Sequence, residues 1–152
     1  MFKYMKKTLL FLFTASFLSL ASQVASSQSM DSIAGTWKTF DDDTNQPAAI
    51  VLITEKNGLF SGVITKLLDS SALQTCEKCS DSRKGKSVLG MEILTGLKKT
   101  GDSYAGGQIL DPDDGEIYRA EMKLKDQGSK LDLRAYIGIP LLGRTQTWIR
   151  ER

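Results

Sequence analysis

The chain contains no histidine. That absence removes histidine-based triads, histidine general bases and the commonest metal ligand. Cysteine is scarce as well. The two present, Cys76 and Cys79, cannot complete a zinc site alone, because two thiolates need two further ligands, and here only carboxylates or a second subunit could supply them. No metal and no cofactor are therefore expected. No cysteine stands near residue 27, so a lipoprotein anchor is not expected, and beyond the first 20 residues no stretch is apolar enough to cross a bilayer.

A basic surplus is missing too, once the N-terminus is set aside. Lys3, Lys6 and Lys7 precede an apolar run, residues 8–20, that is too short for a stable membrane span and is flanked like an export signal. Ala25, Ser26 and Ser27 put small residues where a signal peptidase cuts. Residues 1–27 are thus expected to be a signal peptide and residues 28–152 a single domain, periplasmic or secreted, and not transmembrane after cleavage. Without the three signal lysines, 20 Lys plus Arg fall to 17 against 18 Asp plus Glu, a net charge of −1. With its cations dispersed, the domain carries no nucleic-acid footprint.

What remains is about 125 residues, enough for one core and not for two, and most of it alternates with period two. Residues 118–125 carry Tyr118, Ala120, Met122 and Leu124 on one side and Arg119, Glu121, Lys123 and Lys125 on the other. After the turn at Asp126, Gln127, Gly128 and Ser129, the partner strand places Leu131, Leu133, Ala135 and Ile137 inside and Asp132, Arg134 and Tyr136 outside. Asn57-Gly58 marks a tight hairpin between an apolar run, residues 48–54, that suits a strand covered on both faces, and a return strand over residues 59–67. Further strands are predicted over residues 33–39, 88–97 and 104–110, the last bent at Gly106-Gly107. The terminal strand, residues 141–150 after Pro140, aligns Arg144, Gln146, Trp148 and Arg150 on one side. Eight strands with short turns and no convincing helix predict an up-and-down antiparallel barrel or a tight sandwich. The barrel is preferred because only closure removes both sheet edges. Trp37, Arg144, Trp148 and Arg150 are the residues expected to close it, by pairing residues 35–37 with the terminal strand.

Four separated motifs carry a resemblance. Gly35-Thr36-Trp37 with Asp41-Asp42, the Cys76-x-x-Cys79 loop, residues 106–112 (GGQILDP) and residues 143–148 (GRTQTW) together resemble the bacterial exported family known as domain of unknown function 2147. The likeness spans essentially all of the mature chain. It implies a calycin-like barrel, distantly similar to lipocalins, in which a first-strand tryptophan packs against a last-strand arginine. Trp37 matches the first role, and Arg144 or Arg150 is left for the second. The chain departs from the family's pattern at Gln46, where glycine is usual, and at Glu116, where lysine is usual. The family carries no established activity.

Several constellations have local explanations. Cys76-Glu77-Lys78-Cys79 has thiol-oxidoreductase spacing but no following helix to lower a thiol pKa, and in an exported chain it reads as a structural disulfide that pins the long loop of residues 69–87. Asp41, Asp43 and Asn45 match the first calcium-loop spacings, but Gln46 and Leu52 stand where glycine and a bidentate glutamate must be. These aspartates, like Asp111, Asp113 and Asp114, read as solvated turn residues. Arg144 has two readings: a guanidinium stacked on an aromatic, which is preferred, or a cavity-mouth cation holding a carboxylate or phosphate head.

The expected function is that of an exported, monomeric barrel that holds a lipid or other small apolar or amphipathic ligand and is not an enzyme. Tyr118, Met122 and Leu133 are expected to line the interior, with Arg144 at its mouth and Gln146 as a further ligand-binding residue. The alternative is an envelope interaction module with a solid barrel that acts through residues 69–87. The mature protein is expected to start between Ser22 and Ser29. N-terminal sequencing checks this, and retention of residues 1–20 would remove the export argument.

Overall fold

The period-two pattern resolves into eight strands. In a computed structural model, which describes residues 30–70 and 72–151, these are β1 (Gly35–Phe40), β2 (Pro47–Lys56), β3 (Leu59–Leu67), β4 (Glu92–Thr100), β5 (Ser103–Leu110), β6 (Ile117–Lys125), β7 (Lys130–Tyr136) and β8 (Arg144–Arg150). Each pairs with the next antiparallel, and β1 pairs with β8, so the sheet is a closed up-and-down barrel in sequence order. The signal-peptide expectation falls on residues outside the described ones. Among the described residues, no helix is long and apolar enough to cross a membrane.

Alternation holds where it is strictest. On β6 and β7, Ala120, Met122, Leu131, Leu133 and Ala135 are buried, while Lys123, Lys125 and Arg119 are exposed on the outer face. Asn57 and Gly58, with φ of 54° and 76°, make the tight turn from β2 to β3.

Four local expectations are corrected. The apolar run in β2 is covered on one face only: Ala49, Val51 and Ile53 are buried, whereas Leu52 is exposed. Residues 88–91 belong to the preceding loop and β4 begins at Glu92, because the loop closes first through Val88 N to Gln74 O and Gly90 N to Ile64 O. Ile137 is 63% exposed rather than inside, since β7 ends at Tyr136. Leu141 and Leu142 lie in a short 3-10 turn, Pro140–Leu142, and are exposed rather than part of β8. The cause is Arg134, whose guanidinium donates to the carbonyls of Pro140 (2.9 and 2.7 Å) and Leu141 (3.1 Å) and to Thr145 Oγ1 (2.9 Å), holding the chain in a bend.

The barrel is packed solid at the end that carries the tight hairpins. There β1 meets β8 through Trp37 opposite Arg150 and Lys38 opposite Ile149. The Arg150 guanidinium lies 4.2 Å from the centre of the Trp37 ring. It donates to Gly128 O (2.6 Å), Ala34 O (3.0 Å) and Ser32 O (2.6 Å), while Trp37 Nε1 donates to Ile33 O at 2.8 Å. Gly128 has φ of 84°, and a Cβ there would collide with the Met30 carbonyl, so glycine is required where the N-terminal segment crosses the β6–β7 turn. Phe60 and Tyr104 meet edge to face at 4.9 Å within this end.

The seam arginine is therefore Arg150. Arg144 sits at the far end of β8, across from Ala135, and Trp148 lies inside the barrel opposite Leu131 rather than at the junction with β1. Arg144 and Trp148 are corrected as seam residues. The parity that aligns them with Arg150 does not determine which of the three reaches β1.

Trp37→Ala is expected to cost about 3–5 kcal/mol, since it removes a fully buried aromatic and leaves a cavity. Arg150→Lys keeps the charge but cannot serve three carbonyls and a ring face, and leaving buried acceptors unpaired costs about 1–3 kcal/mol. Urea melts check both. Midpoints unchanged from the parent would contradict the seam.

Candidate functional site

The opposite end of the barrel is hollow. A cavity of about 360 Å³ opens there, which lies within the lower range of small-molecule sites. Its depth is apolar: Val51 of β2, Ile64 of β3, Ile93 of β4, Ile109 of β5, Leu133 of β7 and the ring of Trp148. These are the inward positions of strands whose outward neighbours face solvent, so the wall follows from the pleat.

Its rim is built by two loops of the same shape. In the β1–β2 loop, Asp41 N donates to Gln46 O (2.9 Å) and Asn45 N to Asp41 O (2.9 Å). In the β5–β6 loop, Asp111 N donates to Glu116 O (3.0 Å) and Gly115 N to Asp111 O (2.8 Å). Asn45 and Gly115 take the corresponding left-handed φ of 56° and 78°. Each loop brings three carboxylates to the cavity: Asp41, Asp42 and Asp43 from one, Asp111, Asp113 and Asp114 from the other. Read locally they are turn residues, and turns they are. Closure of the barrel makes them one acidic rim.

A polar chain runs down from that rim. The Arg144 guanidinium pairs with Asp42 at 3.1 Å and with Asp111, and its Cζ lies 5.2 Å from the centre of the Tyr118 ring. Burial opposes its charge, but the hydrogen bond and ion pair with Asp111, together with Asp42, outweigh that and raise its pKa. Gln146 Nε2 donates to Asp42 Oδ1 (2.7 Å) and Phe40 O (2.9 Å), and its Oε1 accepts from Trp148 Nε1 at 2.6 Å. Tyr118 donates its hydroxyl to Asp114 at 2.6 Å, which with burial pushes the phenol up to about 12. Asp41 is held below the usual carboxylate range by the side-chain hydroxyl and then the backbone N–H of Thr44.

The long loop supplies the remaining wall. Cys76 and Cys79 are disulfide-bonded and buried. Cys76 N donates to Lys86 O (3.0 Å), Gly85 N donates to Cys76 O (2.9 Å), and Thr75 bridges Ser87. Ala72, Leu73 and Val88 of the loop line the cavity. Gly115 touches the loop so closely that a Cβ would collide with the Lys78 carbonyl. The pinned loop thus leans on the β5–β6 rim.

Of the residues expected to form the site, Tyr118, Leu133, Arg144 and Gln146 line this cavity, and Trp148 joins them. Met122 does not. It lies opposite Tyr104 and Leu133 and is buried in the solid end, since inward orientation does not set depth along the barrel axis. Arg144 stacks on an aromatic as preferred, but the ring is Tyr118, and it does so at the mouth. The six rim aspartates and the loop residues Ala72, Leu73 and Val88 were missed as site residues. The usable signal was the recurrence of one six-residue aspartate loop at residues 41–46 and 111–116. Among the described residues, no three acidic or cysteine side chains are placed to hold a metal ion.

Comparison with known proteins agrees with this architecture. A family model described as "Uncharacterized protein conserved in bacteria (DUF2147)" matches residues 35–150. A solved structure from Helicobacter pylori, described as "Protein HP1028 from the human pathogen Helicobacter pylori belongs to the lipocalin family", superposes with a TM-score of 0.70 at 23% identity, covering 80% of this chain and 84% of that one. No curated protein matches the sequence.

Crowding at the rim has a measurable consequence. Asp113 is pushed above the usual carboxylate range by burial first, then by Asp111, Asp41 and Asp114, with Lys78 opposing. A carboxyl raised in the folded state favours folding only while protonated, so its contribution is lost as pH rises through the folded pKa. Asp113→Asn is therefore expected to raise the urea midpoint at neutral pH, with the gain shrinking as pH falls through the raised folded pKa and gone below the ordinary value of 3.8. Equal midpoints at neutral pH would contradict the crowding.

Proposed function

The chain belongs to the bacterial DUF2147 family and folds as a calycin-like barrel, and on that footing we propose that it is an exported binding protein that holds one small apolar or amphipathic molecule without transforming it. The observation that carries this is the hollow end: a cavity of about 360 Å³ with an apolar floor and a polar mouth, built on a barrel whose other end is solid. A fold needing only stability would fill that space, because an unfilled cavity costs stability in proportion to its volume. The sequence motif of export, residues 1–27, supports a periplasmic or secreted setting, where one partner is a lipid or other small amphiphile and the barrel works as a monomer.

The loop of residues 69–87 fits this role better than that of a protein-docking arm. Its cysteines, Cys76 and Cys79, are buried in the barrel's own core, and Ala72 and the partly exposed Leu73 line the barrel's own mouth. The lipocalin family named for the Helicobacter pylori structure, together with the cavity, supports this reading.

Phenylnaphthylamine, a neutral apolar fluorophore, is expected to bind purified protein saturably at one site. Ala49 is buried and lines the cavity, so Ala49→Phe fills it and is expected to weaken that binding about tenfold or more, a loss of about 1.4 kcal/mol, while folding is kept. Fluorescence titration with a parallel urea melt checks this. Equal binding by a folded Ala49→Phe variant would place the fluorophore elsewhere.

A further inference from the structure

We propose that the cavity prefers an amphiphile with a positively charged head, an alkyl amine or quaternary ammonium, over one with a carboxylate or phosphate head; the preference rests on the ligand-holding function above. The chemistry divides along the cavity axis. Below lie Val51, Ile64, Ile93 and Trp148, which suit an alkyl chain, and above lie the six rim carboxylates on two facing loops with the Arg144 guanidinium among them.

That guanidinium is not available to an anion. Arg144 already pairs with Asp42 and Asp111, and its face covers Tyr118. A carboxylate head would have to displace one of those partners and then lie among the remaining aspartates. A cationic head displaces nothing. Asp43 and Asp113 line the same mouth, and among the described residues neither carboxylate takes part in an ion pair, while burial and then the like charges of Asp111, Asp41 and Asp114 already disfavour the ionised form of Asp113. A nearby cation would relieve that repulsion. Low-dielectric walls beneath the rim concentrate the field at the mouth.

The carboxylates do not converge as a metal cage: among the described residues, no three acidic or cysteine groups are placed around one point. Negative charge spread around the rim of a cavity suits a bulky organic cation instead. The volume of about 360 Å³ limits the tail to a medium-length chain.

The test is displacement of bound phenylnaphthylamine from the purified protein by three amphiphiles with the same tail, decyltrimethylammonium, decanol and decanoate, each below its micellar concentration. Decyltrimethylammonium is expected to displace at a concentration about tenfold or more below decanoate, with decanol between them. Added salt should narrow the gap, because the mouth is open to solvent. The double variant Asp43→Asn, Asp113→Asn, which removes both charges and nearly keeps the size of both side chains, should narrow it too. Equal displacement by the cation and decanoate, or a gap unchanged in the double variant, overturns the cation preference and leaves the binding cavity standing. A fluorophore that does not bind, or that none of the three displaces, removes the cavity as a binding site and the preference with it.

Discussion

One buried guanidinium holds the two ends of the chain together. Arg150 reaches the N-terminal segment at Ser32 and Ala34, the β6–β7 turn at Gly128 and the ring of Trp37, all from the last residue of β8. Among the described residues it has no carboxylate partner; three carbonyls and an aromatic face share its charge instead. Such a group is costly to bury unless every donor is satisfied, and the side chain is satisfied only when β1, β8 and the turn are all in place. Closure is thereby tied to a single arrangement, and a closed sheet has no edge left to recruit another chain.

The consequences run outward from that lock. Filling the tight-hairpin end with Trp37, Tyr104, Phe60 and Met122 leaves the opposite end to be shaped by loops, two of which bring the rim carboxylates. The disulfide contributes in the same sense: it ties Cys76 to Cys79 within a loop that presses on the β5–β6 rim beside Gly115. Carboxylates gathered there repel one another, a local conflict with stability of the kind that functional sites sustain. Arg144 relieves part of the repulsion and, through Gln146 and Trp148, connects rim to floor.

Much of the barrel was readable from residues alone because its rules are local. The alternation of β6 and β7 and the Asn57-Gly58 turn each need only a few neighbouring residues. Where local pattern met a tertiary question, it could not answer. Arg144, Gln146, Trp148 and Arg150 share one face by parity, but only the stagger of β8 against β1 decides that Arg150 meets Trp37 and Arg144 meets the rim. Met122 faces inward as its spacing says, yet its depth puts it in the solid end. Residues 141–142 look extended until Arg134, from a neighbouring strand, captures the carbonyls of Pro140 and Leu141. The aspartate loops were legible as turns, and their meeting at one mouth is a property of closure that no single loop contains.

The central claim is that the hollow end carries a molecule in the cell. Native mass spectrometry of the protein purified without detergent from its own host tests that most directly. The account predicts a peak displaced from the apoprotein by the mass of one small organic amphiphile, lost on organic extraction. Protein that arrives uniformly at its bare mass, and remains so after incubation with an extract of host lipids, would contradict it.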